Sequence, residues 1–464
     1  MPTRLLPPQG LVSNDGRGPT RRELLSFFAK GALLAPLLGS DLLGVARKDQ
    51  SQDTFSALSN WQLSDAALLE EIVSRGFLYF WNEVSPRTGL VRDRALADGG
   101  PDTRRESSIA ATGFGLTALS IGHHHGYVPS REIHARVVQT LNFLLNHTEQ
   151  VNGFYYHFVD VETGRRYRRS EVSPIDTAIL LCGVLTARQY FQHPEIELLA
   201  SAIYRRVNWR WMLNGAKTFA MCWTPERHFS RYRWDSYSEL MMMYLLGVGA
   251  PLDNVSPDSW DAFARPTKDF AGCSYVSGDD PLFVHQYSHA WFDFRGRRDS
   301  HADYFANSTT ATRAHKLFCV SLSQRFPGYD DHAWGITASD SVVGYKVWGG
   351  PPELDQLDGT IVPCAAAGSI PFLPNDTMNC LRNLYLRYGV QTWKRYGFVN
   401  AFNPMTRWID PDVIGISTGI SMVMAENYRS GLVWQAFMKN PEAQRAMQLV
   451  GFQSPPSAPS TLTA

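Results

Sequence analysis

The chain lacks any surplus of charge: 44 basic residues balance 44 acidic ones across 464 positions. That balance argues against a nucleic-acid partner or a charged membrane surface. It also lacks paired cysteines. Cys182, Cys222, Cys273, Cys319, Cys364 and Cys380 are scattered without a C-x-x-C motif, a pattern of buried thiols rather than a disulfide frame or a zinc site. No stretch is apolar for long enough to span a bilayer comfortably. Alternating strand patterns are few, Phe154 to Val159 being the best, and no internal repeat is evident. What remains is a chain with 44% hydrophobic residues, enough for a large core, and with 13 Trp, 19 Tyr and 25 Phe. Such aromatic wealth serves both core packing and sugar stacking.

The N-terminus reads as a targeting segment over residues 1–46. Arg21-Arg22 precedes the short apolar run from Phe27 to Leu38, and Gly44-Val45-Ala46 offers a small-residue cleavage site. A twin-arginine route would export a chain already folded, to a periplasmic or secreted location, with no stable membrane span once the leader is removed. An uncleaved membrane anchor is the alternative. Residues 47–63 read as a polar linker, and 454–464, rich in Pro, Ser and Thr, as a disordered tail.

Between them, residues 64–453 form a single domain of periodic apolar segments. Helices are expected over Asp65–Trp81, Ser107–Leu119, Pro129–Asn146, Pro174 onward, Glu195–Leu213, Ser236–Gly247, Tyr304–Arg325, Asp358–Ala367, Asp376–Tyr388 and Gly415–Asn427. Fully apolar helices alternate with amphipathic ones. This order predicts an all-α (α/α)6 barrel, six inner helices within six outer ones, with an open helical solenoid as the alternative. Ser173 caps the buried helix from Pro174, with Asp176 completing a capping-box-like pattern. Ser236 and Glu239 repeat the arrangement sixty-three residues later. In a barrel, Asp176 and Glu239 would meet in one cleft.

The loops before these helix starts mix polar and aromatic residues. The strings Ser108-Ile109-Ala110-Ala111-Thr112-Gly113-Phe114-Gly115, Asp176-Thr177-Ala178, His285-Gln286-Tyr287-Ser288-His289, Trp334-Gly335-Ile336-Thr337-Ala338-Ser339-Asp340 and Asn427-Tyr428-Arg429-Ser430-Gly431-Leu432 resemble the glucoamylase-like domain of glycoside hydrolase family 144. That family holds endo-β-1,2-glucanases and is similar to a domain of cyclic β-1,2-glucan synthases. The resemblance spans roughly residues 64–453. It implies an (α/α)6 barrel and inverting hydrolysis of a β-1,2-glucan, the expected partner, with no cofactor and no metal. One departure is plain: the family's last inner helix begins Gly-Ile-Asp-x-Gly, whereas this chain has Gly415-Ile416-Ser417-Thr418-Gly419.

Inverting glycosidases use one carboxylic acid on the leaving oxygen and one carboxylate on a water. The catalytic candidates are Asp176, Glu239, Glu171 and Asp160. A helix dipole stabilises the ionised form at Asp176 or Glu239, which suits a base. Glu171, in a like-charge cluster, suits the acid. Against these roles, Asp176 and Glu239 could simply cap helices, Glu171 could pair with Arg168 and Arg169, and Asp160 could serve a turn before Glu162-Thr163-Gly164. The substrate-binding candidates are Arg92, Tyr156, His157, Trp223, Trp234, His285, Gln286, Tyr287, His289, Trp291, Trp334, Asp340 and Asn403. His285 and His289 stand at helical spacing without an evident third metal ligand, so sugar contact or core packing is expected of them. Only part of the tryptophans are expected to be platforms, the rest being core. Two other functions fit the same residues: carbohydrate binding without catalysis, favoured by Ser417, and transglycosylase or lyase chemistry on the same scaffold.

Overall fold

The computed structural model describes residues 64–453; the leader, the linker and the tail lie outside the described residues. In chain order the helices are α1 (Asp65–Asn82), α2 (Ile109–His125), α3 (Ser130–Asn146), α4 (Pro174–Phe191), α5 (Pro194–Arg205), α6 (Trp209–Leu213) and α7 (Met241–Gly249). There follow α8 (Asp258–Asp261), α9 (Tyr304–Ser321), α10 (Pro363–Ala367), α11 (Pro374–Thr392), α12 (Gly415–Arg429), α13 (Leu432–Phe437) and α14 (Pro441–Leu449). Among the described residues no helix is long and apolar enough to cross a membrane.

Local chemistry explains the two best-formed inner helices. Ser108 Oγ accepts from Ala111 N–H to cap α2, which is buried from Ile109 to Gly122 and closed by Gly126 at φ 68°. Ser173 Oγ accepts from Asp176 N–H to cap α4, Pro174 fills its first turn, and nearly every position to Arg188 is buried. The outer helices are one-sided instead. Helix α3 buries Ile133, Val137, Leu141 and Leu144, and α5 buries Ile196, Leu199, Ala200 and Ile203.

The result is the expected (α/α)6 barrel, with two inner places filled by less than a full α-helix. The inner ring runs α12, α2, α4, α7, then two 3-10 turns (Leu282–His285 and Tyr287–Ala290), then the single-turn α10. Side chains close the ring where helix is short. Ser288 Oγ accepts from Met242 N–H and donates to the Glu239 carbonyl at 2.8 Å. Gln286 Nε2 donates to the Ala365 carbonyl and to Ser369 Oγ, both at 2.8 Å. Asn427 Nδ2 donates to the Ala290 carbonyl at 2.8 Å. Between α2 and α4 the backbones touch. A Cβ on Gly183 would sit inside the Gly113 carbonyl, and one on Gly113 would strike the Ile179 carbonyl.

Several helix limits differ from expectation for identifiable reasons. The helix expected from Ser236 begins at Met241, because Ser236 bridges to Ala264 and Tyr237 N–H donates to the Ala264 carbonyl. The segment Glu195–Leu213 breaks in two where Asn208 N–H bonds the Asn152 carbonyl and the Asn208 side chain caps α6. Of Asp358–Ala367 only the last turn is helical, since Ile361 N–H bonds Phe402 and Val362 N–H bonds Gly335.

Short strands stitch the inner-helix starts together at one face, in two-stranded ladders. Phe154 to Val159 is not one strand. Phe154–Tyr155 pairs with Gln150–Val151, and Phe158–Asp160 pairs with Glu106–Ser108, the lead-in to α2. Arg94–Leu96 pairs with Asp412–Ile414, the lead-in to α12. Bonds from Ile109 N–H to the His157 carbonyl, His157 N–H to the Glu171 carbonyl, and Gly415 N–H to the Asp93 carbonyl complete the seam.

Candidate active site

That seam gathers two groups of carboxylates. In the first, His157 stands between Glu171 and Asp176. Its Nδ1 donates to Glu171 Oε1 at 2.9 Å, and its Nε2 lies 3.6 Å from Asp176 Oδ1. Asp176 also accepts a short hydrogen bond from Ser173 Oγ. Burial works against a charged imidazole, but the flanking carboxylates outweigh it and raise the His157 pKa to about 10. This histidine is therefore a cation at neutral pH. Burial also opposes ionisation of Glu171, yet the His157 charge and hydrogen bond hold its pKa below the ordinary value. Asp176 goes the other way. Burial raises its pKa, and Glu171 and Asp93 add to the rise against the pull of His157 and Ser173. The two carboxyls are thus pushed in opposite directions, Asp176 up and Glu171 down, because His157 bonds directly to Glu171.

Glu239 lies in the turn before α7, not inside the helix, and is 5% exposed. The buried Tyr287 phenol is raised by burial and then by the charges of Cys364, Tyr345, Glu239 and Asp176. Asp176 stands in the first turn of α4, whereas Glu239 precedes α7, so their helix positions do not match.

The second group lies across Asp93. Arg94 Nη1 bonds Asp340 Oδ2 at 2.6 Å, its Nε bonds Asp93 Oδ2 at 3.2 Å, and Asp412 Oδ2 stands 3.9 Å away. Arg104 grips Asp412 with both terminal nitrogens and holds Asp102 as well. Oxygens of Asp340, Asp410 and Asp412 lie within 4.8 Å of one another, close enough for a cation, although the two arginines already supply positive charge there. Burial, then the charge of Asp340, pushes the Asp410 carboxyl up to about 7. Burial raises Asp340 too, against the pull of Arg94. Asp410, Asp412, Arg94 and Arg104 were not among the candidates. The one available signal was Asp410-Pro411-Asp412, two acids immediately before the last inner helix.

The other candidates divide sharply. Trp223 is half-buried on a small hairpin, and its backbone pairs with Val172, next to Glu171. Arg92 lies 3.8 Å from Glu83 and donates to the Arg104 carbonyl at the edge of the second group. Asp160 serves a turn: its Oδ1 accepts from Glu162 N–H, Thr163 N–H, Thr163 Oγ1 and Arg105. Trp291 and Trp334 are fully buried, so the expected platforms are core; Trp291 Nε1 donates to Thr117 and its ring packs on Phe114. Trp234 is core as well, donating to the Met221 carbonyl. Tyr156 is buried beneath the Arg166 guanidinium. His285 and His289 are buried, and burial pushes both down to about 3, which keeps them neutral; His285 bonds Ser277 and His289 bonds Ser308. Gln286 closes the ring as described, and Asn403 accepts from Met405 and Thr406 N–H in a turn. None of these eight side chains is open to a sugar. The six thiols are all unpaired, and five are buried.

Comparison with known proteins follows the same lines. Residues 231–441 match the glycoamylase family model, described as "Putative glucoamylase". The chain is 26% identical over 442 residues to the exo β-1,2-glucooligosaccharide sophorohydrolase (non-reducing end) of Parabacteroides distasonis, covering 87% of this chain and 60% of that protein. It thus spans less than two thirds of that relative's length. Its fold is similar to a crystal structure from Bacteroides uniformis described as a putative glucoamylase (TM-score 0.79, 28% identity, 85% of this chain and 99% of that one). It is equally similar to the endo-β-1,2-glucanase of Chitinophaga pinensis in complex with sophorotriose and glucose (TM-score 0.78, 26% identity, 85% and 99%). The family resemblance and the barrel drawn from the sequence are both borne out.

Proposed function

We propose that this chain is an exported glycoside hydrolase that cleaves β-1,2-glucan by an inverting acid/base mechanism. The observation that carries this reading is the Glu171–His157–Asp176 constellation at the inner-helix starts. It pushes the protonation of two neighbouring carboxyls apart, which is what a site needing one acid and one base requires. Similarity to two proteins described as acting on β-1,2-linked glucose supports the substrate class.

In this mechanism Asp176, whose carboxyl burial pushes up, serves as the acid and gives its proton to the leaving glycosidic oxygen as the anomeric C–O bond breaks. Glu171, kept ionised by His157, takes a proton from the water whose oxygen forms the new bond on the opposite face of the sugar. Glu239 is the alternative partner for either role. Trp223 and Asp340 offer sugar contacts. The twin-arginine leader over 1–46 directs the folded domain of 64–453 to the periplasm or medium, and replacing Arg21 and Arg22 by Lys leaves precursor in the cytoplasm. Unchanged export of that double variant rejects the route.

A serine where the family has an acid favours a second reading. Ser417 is buried in the first turn of α12 and bonds Cys364, which fits glucan binding without turnover. One experiment separates the two: purified protein incubated with linear and cyclic β-1,2-glucans, with chromatography of the products and proton NMR of the first-formed anomer. Hydrolysis releasing the α-anomer supports the inverting enzyme. Binding with no reducing-sugar release supports the second reading, an unsaturated product identifies a lyase, and longer chains identify a transglycosylase.

A further inference from the structure

The loops in front of Glu171 are basic in a chain whose charges otherwise balance. Gly164-Arg165-Arg166-Tyr167-Arg168-Arg169 runs straight into Ser170 and Glu171. The run forms the outer limb of the hairpin that starts at His157: Val159 bridges to Arg166, and Tyr167 N–H donates to the Phe158 carbonyl at 3.0 Å. It ends in a tight turn, closed by Ser170 N–H on the Tyr167 carbonyl at 3.1 Å, with Arg168 at φ 51°. Glycine or asparagine takes that left-handed conformation at lower cost, so a turn serving only to reverse the chain has no need of arginine there. Beside it stands the Trp223–Phe229 hairpin, joined through Val172 and carrying Arg227 at its tip. Arg165, Arg168, Arg169 and Arg227 are exposed. The acids of these loops are already engaged. Arg105 bonds Asp160 at 2.7 Å, and the two terminal nitrogens of Arg166 bond Glu226 at 2.6 and 3.0 Å. Glu171 turns inward to His157. Arg165, Arg169 and Arg227 form no ion pair among the described residues, and Arg168 lies over the Tyr167 ring, 5.3 Å from its centroid.

The two signs are therefore segregated: Glu171 is buried, and the guanidinium groups beside it in sequence face solvent. An unsubstituted glucan is neutral and offers a cation only hydroxyl groups. A guanidinium fork matches the oxygens of a phosphate or a carboxylate instead. We propose that this arginine rim binds an oxyanion carried as a substituent on the glucan, beside the sugar unit that is cleaved. This rests on the β-1,2-glucan reading above. The buried carboxylates repel the same substituent, so it stays at the rim and fixes the register in which a substituted chain lies. Cleavage then falls next to a substituted unit rather than at it.

The test compares linear β-1,2-glucan with the same material succinylated or phosphorylated to a low degree, read as kcat/KM and by affinity electrophoresis of the full chain. At low salt wild type should favour the anionic glucans about three- to tenfold, as a few exposed ion pairs allow, and the preference should shrink toward none at about 0.5 M salt. Preference for one modified glucan alone identifies the oxyanion and supports the rim. Arg165→Ser, Arg169→Ser and Arg227→Ser combined should abolish the preference, and Arg169→Glu alone should reduce it; a ratio of two substrates does not depend on how much protein folds. A preference unchanged in both variants, or absent from wild type, overturns the proposal. Succinylated dextran and vesicles of anionic phospholipid carry the charge without the linkage. Binding to either that equals binding to succinylated β-1,2-glucan overturns the glucan substituent in favour of a general polyanion surface or a membrane. If no glucan is hydrolysed, yet succinylated β-1,2-glucan retards wild type more than the neutral glucan does and more than it retards the triple variant, the hydrolase reading fails and the rim stands.

Discussion

The two carboxylate groups of the cleft are built from the same side chains around different cations. In one, Glu171 and Asp176 flank His157, which is charged only because they are there. In the other, Asp340 and Asp412 are held by Arg94 and Arg104, which are charged under all conditions. A titratable cation couples its neighbours, so removing one carboxylate changes the protonation of the rest. A permanent cation anchors its neighbours, so removing one mainly leaves a buried arginine short of a partner. The first arrangement suits proton transfer, and the second suits holding a wall in place.

The largest test of this contrast is catalytic. Glu171→Gln and Asp176→Asn should each lower kcat by about 10²-fold or more in the fraction that stays folded, a loss beyond what any fall in Tm from the broken His157 pairing accounts for. Steady-state kinetics beside thermal melts check this, and near-normal kcat in both variants breaks the contrast. Next comes Asp412→Asn. It should cost about 1–3 kcal/mol of stability, read by denaturant unfolding, because Arg104 loses its bidentate acceptor. A kcat loss equal to that of Asp176→Asn would erase the distinction between the two walls.

A smaller effect concerns pH. His157 has a folded pKa of about 10, above its ordinary value. The stability it contributes is complete below the unfolded pKa, about 6.5, and is lost as pH rises toward 10. Tm should therefore decline over that window in wild type and decline less in His157→Gln. Smallest is Trp223→Ala, expected to reduce kcat/KM about three- to tenfold through a lost ring contact, with Tm nearly unchanged.

How much of this was legible in the sequence depends on whether a pattern has one structural meaning. Ser108 and Ser173 before unbroken apolar runs have one, and α2 and α4 begin where they indicate. The string from His285 to Trp291 has two. Polar and aromatic residues in alternation suit a sugar-facing loop, but here they fill an inner place in the barrel. Their polar tips are met by Ser277, Ser308, Thr117 and the Ala365 carbonyl, so the rings can be buried. Ser236 to Glu239 looked like a second cap, and only the distant pairing with Ala264 decides against it. Asp176 and Glu171 were recognisable as acids near a helix start. The cation between them was not, because His157 arrives from another ladder and its partners lie fourteen and nineteen residues on.

The contact between Gly113 and Gly183 bears on the mechanics of the site. Helices α2 and α4 meet backbone to backbone partway along their length, with no side chain to compress. Such a contact acts as a hard fulcrum. A tilt of α4 about it would swing the end that carries Asp176, and a methyl group inserted at either glycine would force that tilt. Gly183→Ala alters none of the proposed catalytic groups, yet it should move the Asp176 carboxyl as a lever moves its load, and a kcat defect in a protein that still folds would be its signature.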